Sequence, residues 1–465
     1  MSVKSIIVLI CIAIFLRVSH AGNARFMGMG NLTFLFQDDY QKLDLYDFAG
    51  ISSGFLQNDD ISSFGLRGSG LREEWQRDSV VYWAFGQSLP KRLVDYVSIG
   101  AVKFYDFLPQ LRLTPNEFFY ESRRLDSEYG AFGEAQAPQA WGITGGYSWM
   151  TIIFAGDTHS ISTPALDIVY SRSFSDDYTY GITFDGFYGS YNHEDLYTAS
   201  FLPLGGGLSA SYNSESFDLG INAEYHYPMF SIESPFGSES FNGHAISPSL
   251  GAVVKMKDII WVTALHYRWM NLSGSYAGND IGDVMFNAYT AKTQIMFTPG
   301  YLHFSVFGKF DNSVPAYVDQ YDNTDFELLY RDYIFGGGAG IELANVLVGI
   351  ESVYLSNRLE DRVAEDTLES TSLNFKVGAE FGIIINLCGR IGYGYNQVDL
   401  DYQDSIYTLN TNVVTGGLGI DLLPRTRIDL AYNYKWTTSE VDPDEKVTDH
   451  VVFLYLKHTI VADRY

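Results

Sequence analysis

Twelve ionisable side chains sit at alternating positions among apolar residues: Glu224, His226, His266, Arg268, Lys309, Glu351, Lys376, Glu380, Arg390, Arg427, Asp429 and Lys435. On one face of a sheet, such a mixed set has two uses. It can line a water-filled bore and tune which solutes pass, or it can form cross-strand ion pairs that brace the interior. Both uses fit the residue types. Motifs for catalysis or metal binding are poor by comparison. Gly50-Ile51-Ser52-Ser53-Gly54 matches the Gly-x-Ser-x-Gly elbow, but that elbow exposes its serine only on a strand-to-helix turn, and no helical pattern accompanies it here. His193-Glu194 lacks the second histidine of a zincin helix. Asp442-Pro443-Asp444-Glu445 has oxygen ligands suited to calcium but no EF-hand pattern, and reads as a solvated acidic loop. No catalytic residue, cofactor or metal site is expected.

The elements that carry the twelve are strands. From Arg427 to Trp436, Ile428, Leu430, Tyr432, Tyr434 and Trp436 alternate with Arg427, Asp429, Ala431, Asn433 and Lys435. Residues 217–227 and 373–381 repeat the pattern. Successive strand side chains point to opposite faces, so one face is apolar and the other polar. A wall with hydrocarbon outside and polar groups inside is a transmembrane antiparallel β-barrel. A spacing near 40 residues between hairpins also suits propeller blades. Those hold four short strands per repeat, not two long ones.

The chain opens on Lys4, an apolar run from Ile6 to Leu16, and Ser19-His20-Ala21, the layout of a cleaved signal peptide over residues 1–21. The apolar run is too short to span a bilayer as a helix, which takes about 20 residues, and no later segment reaches that length. A closed barrel also satisfies every backbone group in lipid, and needs no such run. The formal net charge is −26, and −28 once Lys4 and Arg17 leave with the signal. Such acidity excludes nucleic acid as a partner. Cys11 lies in the signal, so Cys388 has no intrachain disulfide partner and reads as a small strand residue.

Strands are expected near 206–213, 217–228, 245–256, 259–271, 284–297, 301–311, 333–343, 346–356, 370–381, 386–397, 411–421, 426–437 and 448–459. Further ones are expected near 80–88, 95–106, 141–153, 163–172 and 178–191. Turns such as Lys257-Asp258, Ala344-Asn345 and Leu422-Leu423-Pro424 alternate with long polar connections at 312–332, 357–369, 398–410 and 438–447. Outer-membrane barrels combine short periplasmic turns with longer outer loops, and an even strand number, here roughly 16–18. Strands leaving a short turn carry Tyr225, Tyr227, Tyr267, Trp269, Tyr354, Tyr393, Tyr395, Tyr432, Tyr434 and Trp436 at their far ends. Tyr and Trp favour the membrane–water interface, so these ten form a candidate outer girdle. Residues 80–465 make up the barrel. Residues 22–79 are an N-terminal segment that forms a hatch, first strands, or both. The alternation of connections breaks around 107–140, which hides another strand or a loop folded into the lumen.

Ala24-Arg25-Phe26-Met27-Gly28-Met29-Gly30, the acidic pair Asp38-Asp39 and Asp47-Phe48-Ala49-Gly50 resemble the opening of outer-membrane barrels of the FadL and PorV-like group. Phe48 and Asp47 stand where that group has proline and asparagine. The FadL-type resemblance implies an N-terminal hatch inside a 14-stranded barrel that passes hydrophobic compounds. The PorV-like resemblance implies a barrel that assists protein secretion. Tyr465 resembles the terminal aromatic of a barrel-assembly signal, though Asp463-Arg464 before it departs from that pattern. The expected protein is an exported, non-enzymatic barrel in the outer membrane of a diderm bacterium. It meets the barrel-assembly machinery and membrane lipid, and passes small solutes, polar or hydrophobic. The alternative is a non-transporting barrel for secretion or surface anchoring.

Overall fold

A computed structural model describes Gly28, Met29, Leu32, Leu35 and most of 61–461. The connections at 87–115 and 126–138 lie outside the described residues, and side chains of the first five strands are almost all outside them too. The strands in chain order are β1 (Ile61–Arg77), β2 (Val80–Gly86), β3 (Asn116–Leu125), β4 (Gln139–Phe154), β5 (Asp157–Ser173), β6 (Tyr178–Phe187) and β7 (Gly189–His193). Next come β8 (Tyr197–Asn213), β9 (Phe217–Ser234), β10 (Gly237–Met256), β11 (Ile259–Tyr276), β12 (Asn279–Phe297), β13 (Leu302–Val318) and β14 (Thr324–Leu343). The last six are β15 (Val346–Asp361), β16 (Asp366–Ile384), β17 (Leu387–Tyr402), β18 (Ser405–Leu423), β19 (Thr426–Ser439) and β20 (Lys446–Val461).

All described pairings are antiparallel, and the neighbour relations run in a circle. Each strand from β8 to β20 pairs with the next, and β20 pairs with β1 from Ile61↔Val461 to Gln76↔Lys446. Two wall positions are shared. β2 and β3 both lie between β1 and β4, end to end in the same direction. β6 and β7 share the place between β5 and β8, interrupted at Tyr188, whose N–H donates to Pro164 O at 2.9 Å. Twenty segments therefore fill eighteen positions among the described residues, an even number at the top of the expected range. The sharing also explains the break in alternation near 107–140. β2 ends at Gly86 and β3 begins at Asn116 on the same strand line, so the two together count as one crossing among the described residues.

The fold is a transmembrane-type antiparallel β-barrel, and its lipid-facing band can be measured on the strands. Outward positions on β9 are Phe217, Leu219, Ile221, Ala223, Tyr225 and Tyr227, all exposed. On β11 they are Ile259, Trp261, Thr263, Leu265, Tyr267 and Trp269. At about 3.3 Å per residue and a tilt of roughly 40°, six outward positions span about 25 Å, the height of an outer-membrane apolar band. Above the band the polarity inverts. Ser231 and Glu233 on β9 face out, while Phe230 and Ile232 face in, buried with Phe241, Leu272 and Tyr317. Serine pairs tie the outer surface there: Ser200 with Ser231 at 2.7 Å and Ser240 with Ser275 at 2.9 Å.

This inversion corrects three of the expected long loops. Most of 312–332, 357–369 and 398–410 is strand, so β12–β18 run 16 to 20 residues and the connections between them are short, whereas 438–447 is strand only at its two ends. Those residues lack an apolar outward face because that part of the wall stands in water. Alternation then reads weakly although the ladder continues. Three further expectations fell elsewhere: 95–106, the signal peptide and Tyr465 lie outside the described residues. Within 22–79, β1 is part of the wall. Placing a charge in the band tests it. Leu430→Arg, on an outward position 43% exposed, should cost about 2–4 kcal/mol at mid-height in urea unfolding from lipid vesicles. A loss under half of that would place Leu430 away from hydrocarbon.

Candidate functional site

The ten girdle candidates all occupy outward positions, with Tyr225, Tyr227, Tyr354, Tyr393 and Tyr432 the most exposed. Their hydroxyls share one geometry. Tyr393 pairs with Val414, yet its O–H donates to Asn412 Oδ1 at 2.6 Å. Tyr395 pairs with Asn412 and donates to Asn410 Oδ1 at 2.6 Å. Tyr267 pairs with Tyr289 and donates to Asn287 Oδ1 at 3.1 Å. Tyr225 and Tyr432 lie opposite Ile246 and Val452 and share hydrogen bonds of 2.6 Å with His244 Nδ1 and His450 Nδ1. Each acceptor lies two residues beyond the paired residue, always away from the short turns. The phenols thus all point to one edge of the band, as rings with a wet end and a greasy body should. Tyr393→Phe should cost about 0.5–1.5 kcal/mol in the same unfolding assay, one lost hydrogen bond. An unchanged midpoint would mean that water replaces Asn412. These acceptors sit on the neighbouring strand, 15 to 20 residues away in the chain, and register alone pairs them with the tyrosines.

All twelve ionisable candidates lie on inward positions. They divide into two groups. The first sits on β15–β19, where register sets cations opposite anions: Glu351↔Lys376, Glu380↔Arg390 and Asp421↔Arg427. Arg390 is central. Its side chain is fully covered, with Nε 2.7 Å from Glu380 Oε2 and Nη2 2.5 Å from Asp429 Oδ1. Arg427 Nε holds the other Asp429 oxygen at 2.9 Å. Arg390 reaches across β18 only because residue 419 is glycine. A Cβ there would come within 2.4 Å of Arg390 Nη2 and 2.7 Å of Asp429 Oδ1. Cys388 is drawn into this network too, accepting from Arg390 Nη2 at 3.2 Å. Lys435 is buried on β19.

The N-terminal segment lies against this wall. Leu35 N–H donates to Glu351 Oε1 at 2.8 Å, and Thr415 Oγ1 donates to Gly28 O at 3.0 Å. Met29, Leu32 and Leu35 pack with Leu347. Glycines let the backbones meet: a Cβ at Gly378 would sit 1.8 Å from Met29 O, and one at Gly417 would sit 3.3 Å from Gly28 Cα. Gly28 and Met29 belong to the Gly-Met-Gly stretch noted in the sequence. That inward Gly378, Gly417 and Thr415 receive it was not legible, since on a strand they read as ordinary small residues.

The second group lines β9–β13. His226 is 1% exposed, and Glu224 accepts from Asn222 Nδ2 at 2.9 Å. Arg268 Nε donates to His266 Nε2 at 3.1 Å, and Lys309 pairs with Asp311 at 2.5 Å. Apolar layers bound this polar belt. Val253, Val262, Ala264 and Met296 form a buried cluster toward the short turns, and Phe230, Ile232, Phe241, Leu272 and Tyr317 form one toward the other end. Lys255–Asp218 at 2.6 Å closes the bottom of the polar face.

No protein-family model matches the chain, and neither does any curated protein sequence. Among solved structures, a CymD monoaromatic hydrocarbon channel is similar at 10% identity and a TM-score of 0.40, over 94% of this chain and 97% of that one. The copper transporter OprC is similar at 7% identity and a TM-score of 0.42, over 86% and 80%. OmpT, an outer membrane protein of Vibrio cholerae, is similar at 12% identity and a TM-score of 0.32, over 63% and 98%. At these values the likenesses add nothing to what pairing and alternation establish, and the site is read from its own geometry. His193 ends β7, while Ser52 and Asp442–Glu445 lie outside the described residues.

Proposed function

We propose that this chain is a channel or transporter of a diderm outer membrane, with its own N-terminal segment as a hatch in the lumen. The observation that carries this reading is the seating of Gly28, Met29, Leu32 and Leu35 on the inner face of β15–β18. A segment that merely braced the wall would gain from replacing the charged surface beneath it with apolar packing, since buried ion pairs stabilise little. Among the described residues, two hydrogen bonds and an apolar cluster with Leu347 seat it there. The solute is small, and the apolar layers above and below the polar belt of β9–β13 favour one with hydrophobic surface. The short turns face the periplasm, as they do in bacterial barrels. Liposome swelling tests the reading. Vesicles with the protein should take up small neutral and apolar solutes faster than empty vesicles, and faster still when residues 22–35 are deleted. No uptake by either form would sink it.

A further inference from the structure

The short-turn rim is polar on one side and apolar on the other. Around β8–β13 the connections are Ser214-Glu215-Ser216, Lys257-Asp258 and Thr298-Pro299-Gly300-Tyr301. Around β16–β19 the last strand residues and the turn carry Ile383, Ile384 and Ile385 ahead of Asn386, and β18 ends on Leu422 and Leu423. Ile385 is 101% exposed, Ile384 67% and Leu423 62%. Contiguous exposed apolar surface of this kind marks an interface.

We infer that Ile383, Ile384 and Ile385 at the β16–β17 turn, with Leu422 and Leu423 at the end of β18, are a lipid-binding surface, seated in the bilayer leaflet nearest the short turns. Continuity identifies the occupant. Going down from the girdle on β17, the outward positions are Tyr395, Tyr393, Ile391, Gly389 and Leu387, and the sixth is Ile385 in the turn. On β9 and β11 the sixth position is still strand, Phe217 and Ile259, and the polar tip comes after it. The apolar band therefore has the same six-position height on β9, β11 and β17, and on β17 it reaches into the turn. Asp421 lies inward of Ile420 and Leu422, away from this surface.

The inference rests on the band being lipid-facing, and the test separates the two. In a Cys388→Ala background, Ile385→Cys, Leu423→Cys, Leu430→Cys and Glu215→Cys each receive an environment-sensitive fluorophore in phosphatidylcholine vesicles. Quenching by headgroup-level nitroxide lipid and by aqueous iodide is then compared. The expected result is several-fold stronger lipid quenching at 385 and 423 than at 215, with iodide protection approaching that at 430. Aqueous behaviour at 385 and 423 with lipid behaviour at 430 would overturn the inference alone. Aqueous behaviour at 430 would overturn the band itself. Labels at 385 that escape both quenchers, more so at higher protein density, would show a second protein covering the tips and would also overturn it.

Discussion

Gly378→Val should open the barrel. A Cβ at this position falls 1.8 Å from Met29 O, inside any van der Waals contact, and valine adds two methyl groups to it. The wall backbone cannot yield easily: Gly378 is laddered to Gly349 and Gly392 on both sides. The N-terminal segment, held by Thr415 to Gly28 O and by Glu351 to Leu35 N–H, is the softer partner. Overpacking costs about 1–3 kcal/mol, which shifts docked against undocked hatch by roughly 5- to 150-fold. Solute uptake should rise in proportion, while heat-modified mobility on gels stays that of a folded barrel. Gly349→Ala, on the neighbouring strand, is the control for wall damage. Unchanged uptake with an intact barrel would mean that the segment does not close the path.

Arg390→Met should be the most destabilising single change in the interior. Among the described residues Arg390 is the one cation that touches both Glu380 and Asp429, and its side chain is fully covered. Its removal takes one cation from each carboxylate and leaves Asp429 with Arg427. Breaking a buried pair by deleting one partner costs about 3–5 kcal/mol, chiefly for the charge left behind. The triple variant Arg390→Met, Glu380→Gln, Asp429→Asn should recover most of that loss, because the carboxylates are then neutral and Arg427, 35% exposed, keeps Asp421 at 3.8 Å. Urea unfolding in vesicles gives both numbers. Equal losses for the single and triple variants would show that shape, not charge, makes Arg390 necessary. The same experiment separates the two uses weighed for the twelve residues. Full coverage of Arg390, and burial of Asp429, Glu351 and Lys435, leave the β15–β19 set shielded from the lumen, as a brace would be. The half-buried His266, Arg268 and Lys309 remain on the polar belt of the lumen.

Strict alternation by itself determined the wall from β8 to β20: its strands in the lipid band, their inward and outward faces, and the tyrosines at the far edge follow from period two and the cost of charge in hydrocarbon, whereas β1 and β3 were not read as strands. It failed above the band. There both faces are partly polar or reversed, as at Ser231 and Phe230, and the residues read as loop. The tertiary structure alone decided matters that depend on where strands meet. Register brought Glu380, Arg390 and Asp429 together from three strands, with Gly419 vacating the space between them. It put Asn and His acceptors diagonally above the girdle phenols, and merged β2 with β3 into one wall position. It also laid Gly28 and Met29 on Gly378 and Gly417, more than 340 residues away in the chain. One sequence position says which face a side chain takes. It does not say which neighbour stands beside it, because that is fixed by shear and ring closure, properties of the whole sheet.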